Sequence, residues 1–555
     1  MTRVRSVDKD DSATEPETDK ALSTRATEGA SAQPAASRLT KAVVDWLNAT
    51  TTDWQDTLIV AGLLGLFSFV HRRLEVIEFG GDAVAKWHFA RQWWYHFDWA
   101  HGDLDHHSGR MGVNAVAWLS QALFGRGWKT YYVAPFFIAL LQLPFIYAIG
   151  KRVVNGLAGV LAALLLTYLS TVHRSASQML PDGFAGTYAV ITTYLYLRFA
   201  DPNERNKRGF LIGMGLAAFV GYLSKETFFF FYPGMVIAVW LARRSLRDVI
   251  TFLGVMFGGL VLETALYASF TKYHSRYQIV RSVHGSDGIW PEVKFAELFD
   301  RFSHFHDGWK YLLFFTFASG LWLLVLNRHQ RTAGQALALI GFSQVFMLTF
   351  FVRGFNPIEL WERFEPRYIE PFAPFAALIS GAFLGHVATT LWNDFTWPQW
   401  LTRYGPASLQ YAPFWALGLL LIVGSTGRWL GTPDKGPAPF SVGRKLSKLA
   451  NAAYARNLPV TQHKVEKVKM LAVLYDAYMD DALLVKNGSL PNMIDVQRQE
   501  GGYTYIVKSP AQYPKGKFSE MRAAGCVLEI WRSRSGYQLS SWEPLPASCD
   551  ALAAQ

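Results

Sequence analysis

Residues 130–150 read TYYVAPFFIALLQLPFIYAIG, without one charged side chain, and Lys151–Arg152 follow at once. A run of that length and composition spans the roughly 30 Å hydrocarbon core of a bilayer as a helix. Inside lipid the segment must satisfy its own backbone N–H and C=O groups, which makes a helix the expected form. The basic pair at its end marks a cytoplasmic boundary.

Comparable runs lie on both sides. They fall near 56–71, 153–172, 183–200, 208–224, 226–242, 248–270, 309–326, 333–352, 369–391 and 409–424. The expected fold is therefore mainly α, a polytopic helical membrane protein of about eleven spans. Composition agrees: 51% of the 555 residues are hydrophobic and only 17% are charged, against roughly 25% in soluble domains. The net charge of +11 sits in short loops between runs, where it fixes topology and meets anionic headgroups. No basic stripe stands apart from the spans, so nucleic acid is not an expected partner.

The loops set the orientation. Lys151–Arg152, Arg205–Lys207–Arg208, Arg243–Arg244–Arg247 and Arg328–Arg331 fall on one side, which the positive-inside rule makes cytoplasmic. The opposite loops, 72–129, 173–182, 224–226, 271–308 and 353–368, mix acids, histidines and aromatics. Arg72–Arg73 runs against the rule, and the four concordant loops outweigh it. This predicts an inner (plasma) membrane protein whose N-terminus is cytoplasmic and whose C-terminus is periplasmic.

Three parts follow. Residues 1–50 are polar, without a signal-type apolar core, and read as a disordered cytoplasmic tail. Residues 51–430 form the transmembrane part, with its long first outer loop at 72–129. Residues 431–555 read as a small extracytoplasmic α+β domain: 441–484 has helical character, while Tyr503–Val507 and Val527–Trp531 alternate as strands do. The cysteines, Cys526 and Cys549, both lie there, and a disulfide suits an extracytoplasmic setting.

The polar residues of the outer face carry the chemistry. Asp82 follows Gly80–Gly81 and opens a helical pattern through Ala83, Lys86, Trp87 and Ala90. It can cap that helix, or it can act as a general base on a helix held at the interface by Trp87, Trp93, Trp94 and Tyr95. Asp182 follows Pro181 at the mouth of the fourth span. It can complement a helix N-terminus or join Asp82 in a site. Lys225 and Glu226 sit in LSKETFFFFYP with almost no loop between spans. Such a pair near hydrocarbon must pair or serve a ligand. Glu263, inside the seventh span, likewise needs a partner. Arg353 ends the ninth span, and Arg367–Tyr368 precede the tenth in EPRYIEPFAPF. These arginines can grip a phosphate, or anchor by snorkelling or pairing with Glu359, Glu362 or Glu365.

The first loop also holds His88, His96, His101, His106 and His107 with Asp103 and Asp105. Such clusters can bind zinc, but no HExxH-type motif is present. No cofactor is expected; a divalent metal at His106 and His107 stays an alternative to contact with donor or acceptor. Walker, GxGxxG and GxSxG patterns are absent from the sequence, which removes support for nucleotide-driven chemistry.

Taken in order, these pieces resemble the membrane-embedded GT-C glycosyltransferases over roughly 55–390. The nearest in style are the protein O-mannosyltransferases, the lipid A aminoarabinose transferases and the rhizobial galacturonosyltransferases. The resemblance rests on five pieces: Asp82 early in the first outer loop, His106–Arg110 leading to Leu123–Gly125, Pro181–Asp182, Ser224–Glu226 before Pro233, and RY-x-x-P-x-x-P at Arg367–Pro374. It implies a GT-C-like fold and transfer of a sugar from a polyprenyl-phosphate donor to an acceptor hydroxyl on a lipid, glycan or protein, lipid A or lipopolysaccharide among them. By the same analogy Asp82 is the base and Asp182 assists it. Lys225, Arg367, Tyr368 and Arg353 hold the donor phosphate, and Lys86, His106, Arg110 and Glu226 contact substrate. MIR-type repeats are missing, and the tail resembles no named family. Two rivals are a flippase or transporter of lipid-linked saccharide, which would show broken spans in matching halves, and another outer-face lipid-linked group transferase.

Overall fold

The computed structural model describes residues 53–74, single positions between 83 and 90, 109–125, 131–271 and single positions between 275 and 278. It further describes 307–325, 331–350, 352–355, 358–360, 366–394, parts of 449–463, 494–499, 502–507, 516–533, 536–539 and most of 541–554. Every expected span except 409–424, which lies outside the described residues, contains helix. In chain order these are α1 (Asp53–Leu74), α2 (Met111–Phe124), α3 (Val133–Val153), α4 (Gly156–Thr167), α5 (Ser170–Ser177) and α6 (Pro181–Ala200). Next come α7 (Lys207–Ser224), α8 (Tyr232–Arg243), α9 (Leu246–Phe270), α10 (Asp307–Val325), α11 (Arg331–Phe350) and α12 (Ala373–Asp394). Among the described residues, five helices are long and apolar enough to cross a membrane, or six if a bent pair forms one span. The chain is thus a helical membrane protein, and these five or six spans stand against the eleven expected.

Two stretches differ from expectation. The run 153–172 is not one rod: α4 and α5 are bent by 68°. The run 226–242 begins as a 3-10 helix, Glu226–Phe231, and α8 starts only at Tyr232, with Pro233 in its first turn. Proline is tolerated there because its missing N–H would have no intrahelical partner.

The bundle packs closely where side chains are small. A Cβ on Gly381 of α12 would lie 2.5 Å from the Ala162 nitrogen of α4, and one on Gly385 would lie 2.6 Å from the Ala158 Cα. Small residues spaced by four thus let α4 and α12 touch backbone to backbone, the usual device of helices that associate without hydrophobic driving force. At one end of the bundle Asp56 of α1 accepts from Tyr147 Oη at 2.7 Å and Lys151 Nζ at 2.6 Å. The start of α1 therefore meets the end of α3, so the two run antiparallel.

At the other end a second apolar cluster forms. Ala83, Trp87 and Ala90 of the first long loop are fully buried with Val113 and Ala117 of α2, Tyr131 and Ala134, and Met179, Leu180 and Phe184 around the start of α6. Gln121 Nε2 donates to the Trp87 carbonyl at 3.2 Å. This packing draws the loop down over the end of the bundle that carries Asp182.

A short hairpin, β1 (Val352–Phe355) and β2 (Ile358–Leu360), follows α11. Beyond it, β3 (Val460–His463), β4 (Ile494–Gln499), β5 (Gly502–Val507), β6 (Leu528–Ser533) and β7 (Gly536–Leu539) make a sheet of order β4-β5-β3-β6-β7. β3 runs antiparallel to β5 and parallel to β6. The crossover between β5 and β6 carries α13 (Lys517–Ala523). Cys526, at the entry to β6, is disulfide-bonded to Cys549, at the start of α14 (Cys549–Ala554), with Cα atoms 5.4 Å apart. The helical character expected over 441–484 falls largely outside the described residues.

Candidate active site

Asp182 stands in the first turn of α6, directly after Pro181. Its carboxylate does not cap the helix: no side-chain cap bond is made there. It forms an ion pair with Lys225 Nζ, and both side chains are almost fully buried, at 2% and 3% exposed. Lys225 ends α7 with extended backbone. Its ammonium also lies over the Tyr368 ring, 4.3 Å from the centroid, a cation–π contact strengthened by desolvation. Tyr368 belongs to a second 3-10 helix, Pro366–Phe372, that leads into α12. Three separate sequence signals, Pro181–Asp182, the SKE turn and RY-x-x-P, thus converge on one buried ammonium.

Glu226, the next residue, makes a different arrangement. It accepts from Arg110 Nη2 at 3.2 Å through one oxygen. Through the other it accepts from Arg276 Nε at 3.1 Å and Nη2 at 2.8 Å. Arg276 also donates from Nη1 to the Tyr222 carbonyl at 3.0 Å, and the same nitrogen lies 3.6 Å from Glu263 Oε1. Arg276 is therefore the partner that Glu263 required. Burial works against the charged form of Glu226, but Arg110 and Arg276 together hold its carboxyl well below the usual carboxylate range. Burial likewise opposes the Arg276 charge, and Glu226 and Glu263 hold it above the usual arginine value.

Beside Asp182 lies a narrow cleft of about 10 Å³, room for about one water, among α3, α5, α6, the second 3-10 helix and the start of α12. Its polar lining is Gln142, Thr171, Ser175 and Glu370. Ser175 Oγ donates to Glu370 Oε2 at 2.7 Å, and Glu370 is 5% exposed. Gln142 Nε2 donates to Thr187 Oγ1 at 2.7 Å. Gln142 Oε1 and Thr171 Oγ1 are buried and have no hydrogen-bond partner among the described residues.

The other expected residues divide. Lys86 is fully buried beside Trp87 in the loop that covers this end. Arg353 lies in β1 and Arg367 in the second 3-10 helix. The register of the hairpin shifts between Val352 and Gly354. Asp82, His106 and His107 lie outside the described residues. Among the described residues no group of three or more His, Cys, Asp or Glu could hold a metal ion.

Sequence reasoning missed Arg276, Ser175, Gln142 and Glu370. Only Glu370 carried a signal, as a carboxylate within the apolar stretch that opens the tenth span.

Residues 108–267 match the family described as dolichyl-phosphate-mannose-protein mannosyltransferase. The resemblance to the GT-C glycosyltransferases holds. The matched stretch contains Arg110, Asp182, Lys225, Glu226 and Glu263. Among solved structures, the chain is similar to ArnT from Cupriavidus metallidurans in the apo state, with 13% identity, TM-score 0.47, and 83% of this chain and 99% of that one covered. ArnT bound to undecaprenyl phosphate gives 14% identity, TM-score 0.47, and coverage of 84% and 100%. The oligosaccharyltransferase of Archaeoglobus fulgidus in the apo form gives 12% identity, TM-score 0.42, and coverage of 75% and 59%. No curated protein matches the chain.

Proposed function

We propose that this protein moves a sugar from a polyprenyl-phosphate donor to an acceptor hydroxyl at the extracytoplasmic face of the inner membrane. The observation that carries this reading is the buried Asp182–Lys225 pair, both residues of the matched mannosyltransferase stretch, beneath Tyr368, which lies well outside it. That family is described by dolichyl-phosphate-mannose, and a donor with a lipid tail requires a phosphate seat at the end of a helix bundle.

The chemistry is one displacement. The acceptor oxygen attacks the anomeric carbon, the bond from that carbon to the phosphate oxygen breaks, and the hydroxyl proton passes to a carboxylate. Asp82 is assigned that proton, and the polyprenyl phosphate leaves with the electron pair. Lys225, held by Asp182, supplies the positive charge that faces the developing phosphate charge. Arg367, Tyr368 and Arg353 complete the phosphate seat. Electrostatic stabilisation of this kind is commonly the largest catalytic contribution, and holding donor and acceptor together supplies much of the rest. Lys86, His106 and Arg110 contact substrate or order the covering loop. Glu226, engaged by two arginines, is reassigned from substrate contact to holding them. The acceptor is an envelope lipid, glycan or protein. Residues 1–50 form a cytoplasmic tail, and 431–555 form an extracytoplasmic α+β domain.

The test is Asp82→Asn, assayed by release of polyprenyl phosphate in the presence of an envelope acceptor. Transfer should be abolished while expression and thermal unfolding stay as in the wild type. Wild-type turnover by that variant would remove the base assignment.

A further inference from the structure

The two 3-10 helices, Glu226–Phe231 and Pro366–Phe372, share one local defect. In a 3-10 helix the carbonyl of one residue accepts from the N–H three residues on, and proline has no N–H to give. Pro233 stands three residues after Phe230, and Pro371 stands three residues after Tyr368. Each helix thus carries a carbonyl whose 3-10 donor is missing. The first helix starts directly after Lys225, whose own carbonyl accepts from the Phe228 N–H at 3.0 Å. The second carries Tyr368 itself.

Two neighbouring residues of α11 supply what the prolines withhold. Ser343 Oγ donates to the Phe230 carbonyl at 2.7 Å and accepts from the Gly234 N–H at 3.1 Å. The hydroxyl bridges the two groups that an uninterrupted α-helix would join directly. Gln344 Nε2 donates to the Tyr368 carbonyl at 3.1 Å, and Gln344 is 1% exposed. Consecutive side chains leave a helix about 100° apart, so one turn of α11 can face both 3-10 helices. Close approach depends on Gly234: a Cβ there would lie 2.4 Å from the Leu339 carbonyl oxygen of α11.

We infer that Ser343 and Gln344 are positioning residues for the phosphate seat, holding the two 3-10 helices so that the Tyr368 ring rests on the Lys225 ammonium. The inference rests on the glycosyl-transfer reading above, with Lys225 as the cation that meets the phosphate. Both side chains bond to backbone, so they act through Lys225 and Tyr368 rather than on the donor. The 4.3 Å between ammonium and ring centroid is set by two separate backbone segments, and α11 holds a carbonyl of each. A buried carbonyl that loses its donor must find another or move. Removing the Gln344 amide therefore loosens the turn that carries Tyr368, and removing the Ser343 hydroxyl loosens the turn that follows Lys225. Binding geometry is sensitive to shifts on this scale, and here the loss falls on the phosphate.

The test measures binding of two probes, undecaprenyl phosphate and undecaprenol, to the full-length protein in detergent by native mass spectrometry. The probes differ only in the phosphate. The wild type should bind undecaprenyl phosphate at least tenfold more tightly, and Lys225→Met should remove that preference. Gln344→Met, which keeps the side-chain length without the donor, and Ser343→Ala should each weaken undecaprenyl phosphate binding fivefold or more. Both should leave undecaprenol binding within twofold of the wild type. In a Tyr368→Leu background, Gln344→Met should add less than twofold, because the amide acts through Tyr368. Undecaprenyl phosphate bound within twofold of the wild type by either folded single variant would overturn the inference while leaving the phosphate seat standing. So would an equal loss for both probes, or the full fivefold loss in the Tyr368→Leu background. Should Gln344→Met fail to fold, Ser343→Ala decides by the same two probes. A wild type that binds both probes alike, or a Lys225→Met protein that keeps the preference, removes the phosphate seat itself, and the positioning role with it.

Discussion

Lys225 and Glu226 are neighbours in sequence and opposites in environment. Lys225 is 3% exposed, pairs with the Asp182 carboxylate and lies against an aromatic face. Glu226 is 22% exposed and is shared by Arg110 and Arg276, the second of which also reaches towards Glu263. The backbone makes the division. Lys225 is extended at the end of α7, and Glu226 opens a 3-10 helix, so the two side chains leave the chain in different directions. The Lys225 pair is dry, with both side chains almost fully buried. The Glu226 group spreads its charge over four residues, and losing one member leaves the others paired. A site that must receive a phosphate needs the first kind of cation; a clasp that ties Arg110, before α2, to Arg276, after α9, suits the second.

The largest effects should come from breaking the dry pair. Lys225→Ala leaves the Asp182 carboxylate buried without a partner, which costs about 3–5 kcal/mol in comparable buried pairs. Thermal unfolding in detergent should show it, and polyprenyl phosphate release should vanish. The sharper variant is Asp182→Asn with Lys225→Met, which removes both charges and keeps the volume. It should recover most of the lost stability and none of the turnover. If the double variant turns over donor, the pair is only a structural contact and the phosphate seat lies elsewhere.

Glu226→Gln should cost less, about 2 kcal/mol, the scale of charge-assisted hydrogen bonds. Arg276 keeps the Tyr222 carbonyl and lies 3.6 Å from Glu263. Activity should fall through loosening of the covering loop, and donor KM should move less than acceptor KM. Arg110→Gln should be milder still, within about 1 kcal/mol, because the pair is partly exposed and worth little. A loss from Arg110→Gln as large as that from Lys225→Ala would erase the distinction between the two groups.

The spans and the outer polar residues were legible because each polar residue interrupts an apolar run, and such interruptions near hydrocarbon need partners. Asp182, Lys225 and Tyr368 could each be singled out on that ground. Their meeting could not, since Asp182 and Lys225 belong to different helices 43 residues apart and hydropathy carries no information on which helix ends adjoin. Arg276 sits in an ordinary polar loop, KYHSRYQ, and gains meaning only from Glu226 and Glu263 in space. The α4–α5 break falls near the end of the expected run 153–172, and α5, STVHRSAS, is polar enough to read as the loop that follows. Glu370 was hidden for a related reason: it lies one residue before a proline in the RY-x-x-P pattern, and that pattern drew attention to Arg367 and Tyr368.

The smallest effect is a pH dependence, and it tests how Glu226 is held. Its carboxyl titrates lower in the folded protein than in the unfolded chain, since Arg110 and Arg276 outweigh burial. A group depressed in this way contributes its full stabilisation above its unfolded pKa, about 4.3, and loses it as pH falls towards the folded value. The stability gap between the wild type and Glu226→Gln should therefore stay constant from pH 8 down to about 5, and close only below about 4.3. A gap that begins to close near neutrality would mean a carboxyl raised by burial. The two arginines would then not be holding it, and Glu226 would belong with the dry residues around Lys225 rather than with the clasp.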